Sequence, residues 1–199
     1  LDGKNYAGAG NVVIQARTDG QATLDVSGAK ATLDLVTEVG NATTVKATEV
    51  ASDAGSVVIT ATEGILLDDG VMVGKSGGAG AAGGRFSAAI WKDRNAGTPG
   101  RGYPTLYGDR QMILSQTGDH VPAGLTPGTS IDHAVYGSKA YIPVGGLVSG
   151  GFDSVAFKSE NQIAFDGPVN LGVKRQIVLD APVLMGGAGD VTARPAATW

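Results

Sequence analysis

The sequence predicts an all-β chain wound as a right-handed parallel β-helix, with coils of about 22 residues and one long loop insertion. Three observations predict it. Short strand-like segments recur at a shared spacing, they alternate apolar with polar residues, and Gly, Asn and Asp mark the bends between them.

The spacing shows first near the N-terminus. Gly10–Ala16 (GNVVIQA) recurs as Gly55–Ala61 (GSVVITA), with Ala31–Leu35 (ATLDL) between them. Val13, Leu35 and Val58 are then 22 and 23 residues apart. Leu24, Val45 and Leu66 form a second series in steps of 21. The last third repeats the pattern in Val155–Lys158, Gln162–Asp166, Val169–Val173 and Gln176–Asp180. There, Phe157, Phe165, Leu171 and Leu179 step by 8, 6 and 8 residues, so three short strands close one turn of 22.

A period of two sends alternate side chains to opposite faces of a strand. Parallel stacking of such coils places Val13, Leu35, Val58, Phe157, Phe165, Leu171 and Leu179 inside. Asp19-Gly20, Gly40-Asn41, Asp69-Gly70 and Asp166-Gly167 read as corners, because these residue types tolerate the positive φ of tight bends. An antiparallel sandwich, with strands at intervals of about 8–12 residues, is the competing fold.

Composition agrees with short strands and frequent turns. The 199 residues include 32 Gly, and 42% are hydrophobic, enough for one core. Charged residues make up 17%, the net charge is −4, and Lys and Arg do not cluster, which argues against nucleic acid as a partner. Cysteine is absent, so a regular core must do what disulfides do in small secreted domains. The chain opens at Leu1, inside repeat-like sequence, which suggests a fragment of a longer array.

One continuous domain is expected, with coils over 1–91 and 137–199 and an irregular surface insertion over 92–136. Gly74–Gly84 reads as a low-complexity loop and Arg85–Trp91 as a strand. The insertion holds both His residues and several Pro, and with the strand end before it gathers Trp91, Arg94, Arg101, Tyr103, Tyr107 and Arg110. Tyr, Trp and Arg often carry the energy of interfaces, so these six are the candidate binding residues. The competing role for the segment is a cover folded back on the strands.

No arrangement of residues demands catalysis. Asp119-His120 and Asp132-His133 read as polar loop pairs, since sequence neighbours do not face one another and no nucleophile stands at a telling spacing. Asp68-Asp69 reads as a corner, not a calcium shell. Gly74-Lys75-Ser76 lacks the upstream Gly of a phosphate loop, because position 69 is Asp. Asn41-Ala42-Thr43 fits a glycosylation sequon at a corner. No cofactor and no metal are expected.

The C-terminal third carries a resemblance. Gly150-Gly151-Phe152-Asp153 opens a run of alternating segments that ends at Leu179-Asp180-Ala181-Pro182. This stretch resembles the filamentous-haemagglutinin-type large exoproteins of Gram-negative bacteria, the adhesins of the two-partner secretion family. Leu24–Ala29 (LDVSGA) and Gly83–Ile90 (GGRFSAAI) are similar in style. The resemblance implies a β-helical shaft, export through an outer-membrane transporter, a secreted or cell-surface location, and roles in adhesion, aggregation or toxin presentation. The implied partners are glycans or proteins of host or neighbouring cells, and adjoining segments of the same longer chain. It carries over no catalytic residue.

The expected function is therefore a structural or adhesive shaft segment and not an enzyme. Two other classes stay open: a polysaccharide-degrading β-helix enzyme, for which Asp25, Asp34, Asp68 and Asp166 are the carboxylates to watch, and a phage-type receptor-binding spike.

Overall fold

The structure is a computed structural model that describes residues 6–8, 11–14, 23–39, 42–67, 71–92, 108–118 and 132–195. In chain order the strands are β1 (Tyr6–Gly8), β2 (Asn11–Ile14), β3 (Thr23–Asp25), β4 (Lys30–Val39), β5 (Ala42–Ala51), β6 (Ser56–Ala61), β7 (Gly64–Leu67), β8 (Val71–Val73), β9 (Gly84–Ile90) and β10 (Gln111–Ser115). They continue as β11 (Lys139–Pro143), β12 (Phe152–Ser159), β13 (Gln162–Asp166), β14 (Val169–Val173), β15 (Gln176–Asp180), β16 (Val183–Met185) and β17 (Val191–Pro195). Two helical turns, α1 (His133–Tyr136) and α2 (Gly145–Ser149), flank β11. The chain is all-β in class.

The first sheet runs β1-β6-β9-β12-β15 and the second β2-β7-β11-β10-β13-β16, with every neighbouring pair parallel. A third flank holds the parallel pairs β3–β8 and β14–β17, and α2 touches β8, β12 and β14. The chain visits the flanks in rotation: β6, β7, β8, later β12, β13, β14, then β15, β16, β17.

Register lines up side chains from strand to strand. In the first sheet Val57, Phe86, Val155 and Ile177 stand in one column and Ile59, Ala88, Phe157 and Leu179 in the next. In the second, Ile65, Ala140, Met112, Ile163 and Leu184 do the same. Apart from the column ends near β15 and β16, these residues are buried or packed on one common core. Phe86 sits 6.1 Å from both Phe152 and Phe157, ring centre to ring centre. Each large apolar side chain so buried contributes roughly 1.5–3 kcal/mol.

The last third matches the sequence spacing. Val155 lies opposite Ile177, Ile163 opposite Leu184 and Val169 opposite Val191, so partners are 21 or 22 residues apart. Phe157, Phe165 and Leu171 are buried as expected, and Leu179 packs on the core. The Asp166-Gly167 corner has its positive φ at Gly167, +75°.

The N-terminal reading needs correction. β4 and β5 pair antiparallel through ten continuous pairs, from Lys30–Ala51 to Val39–Ala42. Leu35 and Val45, expected inside on stacked coils, are 44% and 61% exposed on this hairpin. The two similar segments also part company: β2 lies in the second sheet, with Val13 opposite Leu66, while β6 lies in the first. Val58 points away from the core beside Ser87, and Ile59 takes the inward place. The side chain of Val13 lies outside what the structure describes. Alternation of period two is common to a coil and a hairpin, so it did not separate them.

The stretch read as an irregular insertion over 92–136 contains β10, a strand paired on both edges. Met112 and Leu114 are fully buried there. β10 precedes β11 in sequence yet sits beyond it in the sheet, between β11 and β13. Residues 93–107 and 119–131, including Asp119-His120, lie outside the described residues.

Side chains tie the bends of neighbouring rounds together. Asp153 is buried and accepts from the Gly83 N–H at 2.6 Å, Asp53 from Ala82 at 2.7 Å and Glu160 from Lys92 at 2.6 Å. The glycine-rich stretch is a packing requirement here. A Cβ on Gly84 would meet the Phe152 ring at 3.0 Å, and one on Gly77 would stand 2.2 Å from the Ala29 carbonyl oxygen.

Candidate interaction surface

Trp91 ends β9, and 40% of it is exposed. Its N–H donates to the Ala61 carbonyl at 3.3 Å, so the indole starts from a fixed backbone. Lys92 follows, with its ammonium 3.9 Å from the Asp109 carboxylate, bringing the two ends of the 93–107 stretch together. Arg94, Arg101, Tyr103 and Tyr107 lie outside the described residues.

Arg110 does not belong to an exposed binding face. It is 2% exposed, and its guanidinium donates to Ser138 Oγ at 2.6 Å and the Gly108 carbonyl at 3.1 Å, with Glu63 3.6 Å away. A guanidinium offers five donors, and these three contacts turn it inward. The sequence neighbourhood of aromatics and Arg gave no sign of this, because burial here depends on Ser138 and Glu63, far along the chain.

α1 lies against the outer side of the second sheet. Its Tyr136 ring meets Tyr141 edge-on, with centroids 6.1 Å apart. Asp132 accepts the Ala134 N–H at 2.9 Å and so starts the turn, which is the structural work of the Asp132-His133 pair. Tyr141 and Leu66 are buried although their column faces away from the core. Burial first, then Tyr136 and Asp166, raises the Tyr141 hydroxyl above its ordinary pKa.

The feature the sequence reading missed is the β4–β5 ribbon. Ten residues of antiparallel strand span roughly 33 Å. Opposite residues share a face, so Ala31, Leu33 and Leu35 lie with Val50, Thr48 and Lys46, and Asp34 and Val36 lie with Ala47 and Val45. Leu33, Leu35, Val36, Val45 and Val50 are all exposed. The base is fixed: Ser52 N–H donates to the Ala29 carbonyl and Ser52 Oγ accepts from Ala29, while Gly77 donates to the Ser52 carbonyl. A usable signal was present. Two alternating runs of equal length separated by Gly40-Asn41 are a hairpin pattern.

Among the described residues, no three His, Cys, Asp or Glu are grouped to hold a metal. No helix of the described residues is long and apolar enough to cross a membrane. Comparison with protein families, with curated proteins and with solved structures finds no match in any of the three.

Proposed function

We propose that the chain is a right-handed parallel β-helix segment that serves as a shaft in a secreted bacterial surface protein, presenting contact elements for attachment or aggregation. The parallel pairing of successive rounds, in columns 21 or 22 residues apart, supports the shaft. The resemblance of Gly150–Pro182 to filamentous-haemagglutinin-type exoproteins supports export and a surface location. Partners would be glycans or proteins of host or neighbouring cells, met by the exposed Trp91 flank and the ribbon, with an outer-membrane transporter engaged during export.

The observation that carries this reading over an enzyme is the use made of carboxylates. Asp25, Asp53, Asp132, Asp153 and Glu160 each accept a backbone N–H at a bend or turn. Asp25 in particular is held below the usual carboxylate range by its hydrogen bonds to Ser27, which suits a turn former and not a proton donor. Asp68 lies outside the described residues.

The test is attachment of the labelled chain to epithelial cells and to an array of immobilised glycans, alongside incubation with acidic polysaccharides. Binding that drops at least about tenfold in Trp91→Ala, with unchanged circular dichroism, supports the reading. Depolymerisation lost in Asp25→Asn would overturn it in favour of the enzyme. Because β10 is part of the core, any deletion in this flank must spare residues 108–118.

A further inference from the structure

The two ends of the strand stack differ in exposure from its middle, and they match each other in arrangement. At one end, β15, β16 and β17 are the last strands of the first sheet, the second sheet and the third flank. Each has a partner on one side only. At the other end, β1, β2 and β3 are the last strands of the same three flanks, again with one partner each.

Exposure shows what the β15–β17 end lacks. In the round before it, Val155, Phe157, Ile163, Val169 and Leu171 are buried. Their column neighbours in the last round are open: Leu184, opposite Ile163, is 53% exposed, and Val191, opposite Val169, is 37% exposed. Val183 and Met185 on the same short strand are about half exposed as well. An apolar end with three unpaired parallel edges is a template for another strand layer.

We propose that this end is covered by the β1–β3 end of a second copy of the chain, so that copies stack head to tail along one axis. The inference rests on the shaft reading. A parallel edge is best satisfied by another parallel strand in the same rotation, and the opposite end of this chain offers three of them in the matching order: β1 for β15, β2 for β16, β3 for β17. The ribbon does not stand in the way, since the contacts of its base run to Lys75 and Gly77, past β8 and away from β3. Such a contact uses different surfaces on the two copies and does not close, so it yields filaments in place of dimers. With five strands in the first sheet at about 4.8 Å spacing, each copy adds roughly 24 Å.

The experiment is sedimentation velocity over a concentration series, with negative-stain electron microscopy of the same samples. The expected result is a ladder of species that lengthen with concentration at constant width. Leu184→Lys, at an exposed site, should leave circular dichroism unchanged and abolish the ladder. That variant keeps an intact β1–β3 end, so a minor fraction mixed into the unaltered chain should shorten its oligomers by capping them. A monomer at all concentrations overturns the proposal, as does a dimer of fixed size, which would mean a symmetric contact. Oligomers lost in Val36→Lys but kept in Leu184→Lys also overturn it, by placing the contact on the ribbon. Failure of attachment to cells with the ladder intact would count against the adhesive reading alone.

Discussion

Arg110 and Ser138 are joined by a buried hydrogen bond of 2.6 Å that locks the out-of-order strand in place. Ser138 is the one non-glycine among the described residues with positive φ, 64°. Its N–H donates to Glu63 O and its carbonyl accepts from Gln111. Arg110 in turn receives Gln162 N–H and Ser159 Oγ on its own carbonyl, and donates its N–H to Asn161 Oδ1. One corner column thus runs through the bends before β7, β11, β10 and β13.

Replacing Arg110 with Met should therefore destabilise the fold by about 3 kcal/mol, because it strands the buried Ser138 hydroxyl and leaves Glu63 with a partner lost. Arg110→Lys should recover only part of this, since an ammonium cannot span both Ser138 and Glu63 as a planar fork does. Urea denaturation followed by circular dichroism measures it. A loss under about 0.5 kcal/mol, as for an ordinary surface site, refutes the anchoring role.

Two glycines give opposite expectations. Gly77→Ala would put a methyl 2.2 Å from the Ala29 carbonyl oxygen and 2.8 Å from that of Ser52, where the ribbon base meets the stack. The backbone must shift, at a cost of about 2 kcal/mol. Gly146, on α2, has nothing within 4 Å of the same position. Gly146→Ala should stabilise by about 0.5–1 kcal/mol by restricting the unfolded chain. Thermal melts of both variants decide the matter, and equal shifts in one direction would show that the packing at Gly77 is not as described.

The C-terminal third was legible because nothing interrupts it. Gln162–Asp166, Val169–Val173 and Gln176–Asp180 were read as strands with their observed bounds, and the inward Phe157, Phe165 and Leu171 followed from alternation. The N-terminal third was not, because Ala31–Val50 carries the same alternation in a hairpin, and its spacing imitated a coil. β10 was hidden by its surroundings: Gln111–Ser115 is a five-residue apolar run inside a Pro-rich stretch, and no local rule places it beyond β11. Of the candidate site, Trp91 was found on the surface, while Arg110 was misread because an arginine's burial is decided by distant partners.

Tyr141 supplies a pH dependence. Its folded pKa lies above the ordinary 10.0, chiefly through burial. The unfolded chain therefore releases this proton first as pH rises. Stability from this group is full below about pH 10 and is lost as pH climbs through the folded value. Comparing urea midpoints at about pH 8 and about pH 11 for the unaltered chain and Tyr141→Phe tests it. The variant should lose less stability over that interval. An identical loss in both would mean that Tyr141 titrates alike in the folded and unfolded chain.

The ribbon should be dispensable for folding. Isolated two-stranded ribbons are marginal in water, and this one covers little of itself: Leu33, Leu35, Val36, Val45 and Val50 remain exposed, and its Lys30–Glu49 pair, 3.7 Å apart on the surface, adds little. The bonds that hold the base, between Ala29, Ser52 and Gly77, lie outside the ten-pair ladder. Replacing Ala31–Val50 by a short Asn-Gly turn should then change the urea midpoint by the equivalent of less than about 1 kcal/mol. Solubility should rise, because a long, proline-free, apolar edge is removed. The same variant separates two roles. If attachment to cells falls while the melt is unchanged, the ribbon is a contact element. A cooperative loss of the whole fold would instead show that the first round of strands depends on the ribbon, and that its exposed apolar residues pack on the stack in solution.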